Sequence, residues 1–591
     1  MMSTIYTKEM GQEIYKDSQK NVYDFIRESV KGYEDYTALT YFDRVISYRD
    51  YMIQVNQYAD RLRSLGLRKG DVISLVLGNT PETVYYYYAA WAIGCIICPL
   101  DPRTNPEGIL DSIQRSKARI LCVLFDVFST KITPIFDRLN VEKIIVVNPT
   151  DEMPSSLKGF IGKRIYCKRI KKLKQEDKYF SSTKVVLNKD FLKNASTVEV
   201  QTVYEKTEQG MPAAHIFTSG TEGNPKAAVH THEAYIRKSK QVKYALPKDL
   251  PGDTFLGIIP FFSAYGTFNG LNNSLARAMN VILIPTFKTS EFVELVCKHK
   301  PNTLIAVPNH WHDFSLQIES LMKKYKISDL SFIKYPISGG DKQPAADVFA
   351  CNKLFRKYGS DAMLIRGYGS TEVAGAIATT ITDKNFEDGE YSGVLFPGTK
   401  YKLMDPNTKA ISDSNHEGEL LVSDPAMMIG YFDNDEETNR NMIEIDGIRY
   451  FNMGDLFRID EKGRLYFCGR TKRVVIRPDG HTVHVLPIED SLTNSGLVDQ
   501  CCVVGLKKEN MTGSIPTAFI KLKNGVSETQ ETIKKLDAQQ LKDLSERNRA
   551  LVFVFVKELP KTLMDKIDFR KLESLDLSEL TYHVVDNSFF I

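Results

Sequence analysis

The chain has 591 residues and a mass of 67.1 kDa, enough for two to four domains around a large buried core. With 42% hydrophobic and 26% charged residues, its composition excludes a fibrous, a disordered or a polytopic membrane protein. The 77 Lys and Arg nearly balance the 74 Asp and Glu, so a formal net charge of +3 gives no global field for polyanions and predicts no nucleic-acid partner.

The cysteine pattern indicates the cellular compartment. Nine cysteines, an odd number, stand mostly singly in apolar segments, as expected in a reducing environment rather than in a disulfide framework. Cys95 and Cys98 form a CxxC, but no second pair follows at zinc spacing, so we interpret them as part of a buried strand. The first residues show neither a signal-peptide pattern nor a lipidation motif. We therefore expect a cytoplasmic protein.

Helical and strand patterns alternate along the first part of the chain. A long apolar run, Thr83 to Leu100, approaches the length of a membrane span, but Gly94 divides it into a core helix and a buried strand. The patterns together predict helices over 48–65, 82–93 and 272–279, and strands over 70–77, 95–100 and 281–285. Such alternation predicts an α/β fold with a mainly parallel sheet and helices on its faces.

Between the apolar strand 144–148 and Ala213 the chain becomes polar and basic. An acid-free stretch there contains Lys158, Lys163, Arg164, Lys168, Arg169, Lys171, Lys172 and Lys174. We favour a solvated excursion between core strands. The alternative is a basic interfacial helix on anionic lipid, which leaves peripheral membrane contact open.

From about Gly469 the pattern changes to short alternating strands separated by charged helical stretches. Four such strands are predicted, over 473–476, 502–505, 517–522 and 551–556. This organisation predicts a small α+β domain of a little over 100 residues, with its boundary near Lys472.

A loop rich in glycine and hydroxyl groups follows an apolar strand and ends at Lys226. Its sequence, Thr218-Ser-Gly-Thr-Glu-Gly-Asn-Pro-Lys226, suits a polyphosphate, because glycines let backbone N–H groups approach closely and the lysine adds charge. It is not a Walker A loop, since Gly220, Gly223 and Lys226 are spaced differently and Ala227 follows the lysine.

This loop is the first of six motifs that occur in one order. The others are Gly367-Tyr-Gly-Ser-Thr-Glu372, Gly418-Glu-Leu420 with Gly430-Tyr431, Gly454-Asp-Leu456, Gly469-Arg470 and Pro560-Lys-Thr-Leu-Met-Asp-Lys566. Together they resemble the adenylate-forming superfamily of AMP-dependent synthetases and ligases, most of all its acyl-CoA synthetases, over residues 46–572. The resemblance implies a large multi-layer N-terminal domain, 1–471, for ATP and the acid, and a small mobile C-terminal lid, 472–591.

The resemblance also implies a role for each matching residue. ATP or AMP would contact Thr218, Ser219, Gly220, Thr221, Gly223, Lys226, Gly340, Tyr368, Gly369, Asp455 and Arg470. Within this set the phosphate loop would hold the β- and γ-phosphates, Tyr368 would stack on adenine and Asp455 would accept the ribose hydroxyls. Thr371 would contact the α-phosphate and Glu372 would bind Mg²⁺, as a hard carboxylate suits a hard cation.

Three positions near the C-terminus are implied in catalysis and lid movement. Lys566 would be the catalytic lysine, bridging the carboxylate and the α-phosphate as charge shifts between them. Lys472 would be the hinge. The lid would then rotate to present Gly480 to the thiol of CoA.

The acid pocket is implied at Ser263, His310 and Gly339. Amino-acid-activating relatives usually have Asp at the position of Ser263, and this carboxylate pairs with the ammonium group of the substrate. Ser263 cannot supply such a charge. Burying an unpaired ammonium is costly, so we disfavour an amino acid and expect a fatty or similar organic acid.

Three departures from the family pattern keep other hypotheses open. Glu222, Met453 and Asp565 replace residues that are commonly Thr, Thr and Gly. The leading hypothesis is an acyl-CoA synthetase that uses ATP, Mg²⁺ and CoA as a cosubstrate. The alternatives are a ligase that loads a separate carrier protein, since no carrier domain is expected after Lys566, and a non-catalytic relative that binds nucleotide or acyl-adenylate.

Overall fold

The chain is described by a computed structural model. The residues described are 6–16, 20–154, 157–198, 210–218, 225–380, 391–406, 408–412, 417–471, 473–508, 513–562 and 566–586. They form two compact units. Unit 1 comprises Met1–Lys400, Val422–Phe451 and Lys462–Arg464, and unit 2 comprises Tyr401–Leu421, Asn452–Glu461 and Leu465–Ile591.

The helices are α1 Lys8–Glu13, α2 Val22–Ser29, α3 Tyr48–Ser64, α4 Pro81–Ala92, α5 Pro106–Ser116, α6 Phe125–Val127, α7 Leu157–Glu176, α8 Asn188–Phe191, α9 His232–Ala245, α10 Asn273–Leu275, α11 Phe292–His299, α12 Pro308–Tyr325, α13 Ala345–Lys357, α14 Asp435–Asn441, α15 Val485–Asn494, α16 Gln530–Asp543 and α17 Phe569–Glu573. Two π-helical segments, Phe128–Ile132 and Tyr265–Asn272, and short 3₁₀ turns such as Thr371–Val373 complete the helical structure.

The strands are β1 Thr37–Tyr41, β2 Arg44–Ser47, β3 Val72–Val76, β4 Ile96–Pro99, β5 Ile120–Leu124, β6 Lys143–Val147, β7 Val185–Leu187, β8 Pro212–Phe217, β9 Ala227–Thr231, β10 Thr254–Gly257, β11 Asn280–Leu283, β12 Thr303–Ala306, β13 Tyr335–Gly339, β14 Ile365–Ser370, β15 Gly375–Thr379, β16 Gly393–Leu395, β17 Lys400–Met404, β18 Ile411–Ser412, β19 Gly418–Ser423, β20 Gly430–Tyr431, β21 Met442–Ile445, β22 Ile448–Ile459, β23 Arg464–Arg470, β24 Val474–Ile476, β25 Thr482–His484, β26 Val498–Leu506, β27 Ile515–Leu522, β28 Val552–Phe555 and β29 His583–Val584.

One sheet of unit 1 carries the predicted phosphate loop at its antiparallel end. Its strand order is β20-β9-β8-β4-β3-β5-β6-β7. The strands from β8 to β7 pair in parallel, whereas β8–β9 and β9–β20 pair antiparallel. The loop after Thr218 therefore joins the two strands of a hairpin.

A second run of strands in unit 1 carries the motif Gly367-Tyr-Gly-Ser-Thr-Glu372. The order is β16-β15-β14-β13-β12-β10-β11-β1-β2, and pairing is parallel from β14 to β1. Antiparallel pairs close both ends. The predicted α/β class with mainly parallel sheets is thus confirmed.

Helix α4 shows why the long apolar run is a core element. Thr80 caps its first turn by accepting a hydrogen bond from Thr83 N at 3.4 Å, and Pro81 fits the first helical position. Every residue of the helix is buried, and Gly94, at a φ of +76°, turns the chain into β4. No helix among the described residues is long and apolar enough to cross a membrane.

The predicted helix over 272–279 is displaced in the structure. The helical segment begins earlier, as the π-helix 265–272, continues as α10 and ends before Ala278, which has a φ of +55°. The chain is closely packed within this segment, since a Cβ on Gly266 would lie 2.1 Å from the Pro260 carbonyl oxygen. An apolar pattern alone does not record such backbone contacts.

Unit 2 has the predicted α+β organisation. Strands β22 and β23 form an antiparallel hairpin, as do β24 and β25. The sheet β26-β27-β28-β29 contains one parallel pair, β27–β28. Helices α15 and α16 contribute Ile488, Leu492 and Leu536 to the core behind it.

Candidate functional site

The phosphate loop has a closed neck. Phe217 of β8 pairs with Ala227 of β9, and the Thr218 amide donates to the Lys226 carbonyl at 2.8 Å. Ser219, Gly220, Thr221 and Gly223, together with Glu222, lie outside the described residues. These paired residues at the base of the loop fix the place where it leaves the sheet and returns to it.

Lys226 is held by side chains that follow much later in the sequence. Its ammonium forms an ion pair with Glu437 of α14 and lies 5.5 Å from the ring centre of Tyr431. Both partners of the ion pair are largely buried, with side-chain exposures of 19% and 14%. The hydrogen bond from Lys226 lowers the pKa of Glu437, whose carboxylate also accepts from Arg440 and Asn441. The Lys226 side chain is therefore held in place by this ion pair.

Tyr431 connects this lysine to the predicted metal ligand. Its hydroxyl donates to Glu372 Oε1 at 2.8 Å, and the Met428 amide donates to the Glu372 carbonyl at 2.7 Å. Strand β20 pairs with β9 through Tyr431 opposite Ala228, which brings this segment beside the phosphate hairpin. Lys226 and Glu372, separated by 146 positions in the sequence, thus share one neighbour.

The segment before Glu372 lies on the edge of β14. Tyr368 is half-buried opposite Ala378 of β15, and Thr371 begins the 3₁₀ turn that contains Glu372. Gly369 is exposed but has no room for a side chain, since a Cβ there would lie 1.8 Å from the Gly375 carbonyl oxygen. The structure therefore explains the glycine by close backbone approach. It places Tyr368 in β14 and Thr371 and Glu372 in the turn that directly follows.

The predicted acid-pocket residue Gly339 lies against an aromatic ring. A Cβ on Gly339 would lie 2.6 Å from the hydroxyl oxygen of Tyr265, and one on Gly367 would lie 3.3 Å from it. That hydroxyl is buried and has no hydrogen-bond partner among the described residues, and burial raises its pKa, so it stays protonated at neutral pH. Gly340, next along the chain, is exposed and has a φ of +89°.

The hydroxyl of Ser263 is engaged by its own turn. It donates to the Pro260 carbonyl at 2.7 Å and accepts from the Gly266 amide at 3.1 Å. The side chain is half-buried. Ser263 therefore organises the start of the π-helical segment that carries Tyr265.

His310 is buried among aromatic rings near the start of α12. Its ring centre lies 5.0 Å from that of Phe287 and 5.3 Å from that of Phe292. Nδ1 accepts a hydrogen bond from the Val307 amide at 3.3 Å, which caps the helix. These contacts are those of a structural histidine that lies in the same unit as Ser263 and Gly339.

In unit 2, Asp455 and Arg470 face each other across the β22–β23 hairpin. Arg470 Nε lies 3.3 Å from Asp455 Oδ1, and Asp455 is 7% exposed, whereas the arginine side chain is half exposed. Gly454 has a φ of +68°, and its carbonyl accepts from the Thr471 hydroxyl at 2.8 Å. The geometry presents a buried carboxylate beside an accessible guanidinium.

Lys566 lies at the foot of a short hairpin in unit 2. The Thr562 amide donates to the Lys566 carbonyl at 2.7 Å, and Lys561 and Ile567 form a single antiparallel bridge. The tip, which includes Asp565, lies outside the described residues. This hairpin is held by backbone hydrogen bonds.

Gly480 occupies the turn between β24 and β25. It has a φ of +79°, and its amide donates to the Arg477 carbonyl at 2.9 Å. Arg477 is buried and donates to the Arg547 carbonyl at 2.7 Å. The predicted hinge Lys472 lies outside the described residues.

Sequence reasoning missed three residues of the site. Tyr431 was part of a motif but had no predicted role, while Glu437 and Tyr265 were not singled out. All three belong to the site through contacts with residues that are distant in sequence. Lys226 and Glu437, for example, are 211 positions apart, so no local pattern indicates them. The only available signal was the acidic start of a helix directly after Tyr431.

The residues present fit a magnesium ion that is bound jointly by protein and nucleotide. Mg²⁺ commonly takes one or two protein carboxylates and completes its shell with phosphate oxygens and water. Glu372 supplies one carboxylate, and among the described residues no group of three or more acidic, His or Cys side chains forms a metal site made by protein alone.

Cys95 and Cys98 are buried free thiols, as the buried-strand interpretation requires. Cys98 lies in β4 and Cys95 directly precedes it.

An α/β unit with a phosphate-type hairpin, followed by a small α+β unit with a lysine hairpin, defines the class of nucleotide-dependent acid-activating enzymes. The family model of the AMP-binding enzymes matches residues 26–432, and the model of the AMP-binding enzyme C-terminal domain matches 487–566. The chain belongs to the AMP-binding enzyme family, which confirms the predicted adenylate-forming superfamily.

Several of the similar proteins are CoA ligases. The chain is 25% identical over 558 residues to a long-chain-fatty-acid–CoA ligase of Bacillus subtilis (strain 168), and 25% identical over 567 residues to a 4-coumarate–CoA ligase of Humulus lupulus. Each alignment covers 94% of both chains. The crystal structure of an anthranilate CoA ligase in complex with anthranoyl-AMP has the same fold, with a TM-score of 0.78, 21% identity and coverage of 94% and 97%.

These matches confirm the predicted class of activity, an acid–thiol ligase that activates a carboxylic acid by adenylation and transfers it to CoA. They do not favour a carrier-loading ligase or a non-catalytic relative.

Proposed function

We propose that the protein activates a fatty or similar organic acid with ATP and Mg²⁺, and that the residues described above perform the steps. The observation that carries the proposal is the constellation of Lys226, Tyr431 and Glu372, in which a cation and a carboxylate lie on either side of one tyrosine beside the phosphate hairpin. Charge of both signs at the mouth of a glycine-rich loop suits a triphosphate with its metal.

Attack of a carboxylate on the α-phosphorus concentrates negative charge on the triphosphate, which the site has to neutralise. Lys226 would leave Glu437 for the β- and γ-phosphates, and the loop from Thr218 would supply hydroxyl and amide donors. Glu372, oriented by Tyr431, would hold Mg²⁺, which supplies Lewis-acid charge when bound.

We assign recognition of the nucleoside to Tyr368, Gly340, Gly369, Asp455 and Arg470. Asp455 would accept the ribose hydroxyls, because a buried carboxylate is a strong acceptor. Arg470, exposed beside it, would reach toward the ribose and phosphate.

We place the acid beside Gly339, where Tyr265 offers a buried hydroxyl donor and Ser263 turns the chain. None of these side chains carries a negative charge, which supports an acid without an ammonium group. An acid with a polar group that reaches Tyr265 would satisfy its hydroxyl, since leaving a buried hydroxyl unpaired costs about 1–3 kcal/mol. His310 would support the pocket through its contacts with Phe287 and Phe292.

We assign the catalytic lysine role to Lys566, the hinge to Lys472 and the thiol side of the lid to Gly480. Thr371 would contact the α-phosphate. CoA is the expected acceptor, a carrier protein is the alternative acceptor, and nine free cysteines support a reducing compartment such as the cytoplasm.

Acid-dependent exchange of pyrophosphate into ATP tests the proposal. We expect exchange with fatty or aryl acids and none with amino acids. Tyr265→Phe is the matched variant, because it keeps the ring and removes only the hydroxyl. Discrimination among acids that differ by one polar group should decrease in this variant. Bound ATP without exchange for any acid would contradict the proposal.

A further inference from the structure

Helix α7 lies on the surface of unit 1 with only one face packed. Tyr166, Ile170 and Leu173, at helical spacing, pack against the core cluster that includes Phe125 and Phe180. The Tyr166 hydroxyl also donates to Asp126 at 2.5 Å. The sequence analysis favoured a solvated excursion here and gave a basic interfacial helix as the alternative, and the structure shows a helix of 20 residues.

The opposite face exposes three large apolar side chains within two turns. Phe160 is 61% exposed, Ile161 48% and Ile165 52%. A single exposed apolar residue is ordinary on a protein surface, but Ile161 and Ile165 lie one turn apart and form a patch that favours an apolar partner, with Phe160 beside it at the start of the helix.

Basic side chains share this exposed face. Arg164, Lys168 and Lys171 are exposed and recur at intervals of four and three, and the exposed Lys172 follows directly, so they lie on one side of the helix. Lys172 lies 3.8 Å from Glu176, whereas no ion pair occurs for the other three within the described parts of the chain.

Arg169 shows the contrasting arrangement on the same helix. It pairs with Asp126 and lies 5.0 Å from the ring centre of Tyr166. Arg169 therefore belongs to the fold, whereas the outer bases Arg164, Lys168 and Lys171 remain available to an external partner.

We propose that the outer face of α7 docks the protein on an anionic phospholipid bilayer. The apolar side chains of Phe160, Ile161 and Ile165 insert at the boundary of headgroups and acyl chains, and the bases contact lipid phosphates. This combination of adjacent apolar and basic residues on one helix face is the chemistry of interfacial helices. A polyanion such as nucleic acid would use the bases but leave the apolar residues in water. The proposal does not depend on the activity proposed above.

Vesicle flotation tests this proposal with the full chain. Wild type should float with phosphatidylcholine vesicles that contain phosphatidylglycerol and remain unbound with phosphatidylcholine alone. The combined variant Arg164→Glu, Lys168→Glu and Lys171→Glu should reduce partitioning at least about tenfold, because each base near an anionic surface contributes to binding. Phe160→Ser with Ile161→Ser and Ile165→Ser should cause a loss of about the same size.

A matched control changes three exposed lysines on α16. Lys534→Glu, Lys535→Glu and Lys542→Glu alter the net charge by the same amount and should leave flotation unchanged. Failure of wild type to float, equal loss in the control, or unchanged flotation of the serine variant would each overturn the proposal. The last result would indicate binding of polyanions by charge alone.

The thiol of Cys167 supplies a second measurement that needs no charge variant. It is exposed on the same helix, while the other eight cysteines are buried or partly buried. An environment-sensitive dye on Cys167 should shift to the blue on addition of anionic vesicles, and brominated lipid should quench it. A spectrum unchanged by bound vesicles would contradict docking through α7.

Discussion

The two lysines proposed to act on ATP are held in opposite ways. Lys226 of unit 1 is enclosed by side chains, through its ion pair with Glu437 and the ring of Tyr431. Lys566 of unit 2 lies on a hairpin held by backbone hydrogen bonds. This difference implies that substitutions near Lys226 alter its neighbours and the affinity for ATP. Removal of the Lys566 side chain should instead abolish its catalytic contribution and leave its hairpin intact.

The largest expected effect is that of Lys566→Ala. Adenylation should fall about 10³-fold, in the range found for loss of one group that stabilises transition-state charge. Formation of thioester from supplied acyl-adenylate should be largely retained. Pyrophosphate exchange and thioester release, measured separately, check this split, with Lys561→Ala in the same hairpin as the control. Equal loss in both half-reactions would contradict the assignment.

Glu372→Gln should lower kcat for adenylation about 10²-fold, because the amide is a weaker ligand for a hard cation. The concentration of Mg²⁺ at half-maximal rate should rise as well. Tyr431→Phe keeps the carboxylate but removes its 2.8 Å hydrogen bond, so its loss should be only several-fold. If Glu372→Gln left the magnesium dependence unchanged, Glu372 would not be the ligand.

Asp455→Asn should raise KM for ATP about tenfold with a smaller change in kcat, since the amide accepts less strongly than a carboxylate. The ion pair with Arg470 would also be lost. Steady-state kinetics with ATP and with 2′-deoxy-ATP provide the check. The variant should discriminate less between the two nucleotides, whereas unchanged discrimination would exclude a role at the ribose.

The smallest expected effect is a decrease in KM for ATP, opposite in direction to that of Asp455→Asn. Glu437→Gln frees Lys226 from its ion pair, so KM for ATP should fall about two- to fivefold, in keeping with a pair that contributes about 1 kcal/mol. The pKa of Glu437 is held below its ordinary 4.5, so wild type carries this charge throughout the neutral range. The difference between variant and wild type should therefore be constant across the neutral range. A rise in KM would show that Glu437 positions Lys226 rather than competes for it.

Local sequence patterns were sufficient to predict much of the fold. Thr80, Pro81 and Gly94 set the limits of α4, and the apolar run between them required burial. The ordered motifs identified the family because each is a short stretch of consecutive residues that can be recognised without the structure. The displaced helix at 265–275 shows the limit of such reasoning, because neither its π-helical turns nor the close contacts of Gly266 and Gly270 are visible in an apolar pattern.

The candidate site was predictable only in its chemical types. Lys226 and Glu372 were expected, but their link through Tyr431 depends on β20 pairing with β9, a contact across some 200 positions. Tyr265 was likewise hidden, because its proximity to Gly339 arises from two elements that are distant in sequence. Such contacts follow from topology and not from spacing.

The central claim is acid activation through an adenylate, and product stoichiometry tests it most directly. Purified protein incubated with ATP, Mg²⁺, CoA and a fatty or aryl acid should yield equal amounts of AMP, pyrophosphate and acyl-CoA by mass spectrometry. Without acid, none of the three should form. Release of ADP and phosphate, or nucleotide binding with no acyl-CoA from any acid, would contradict the claim.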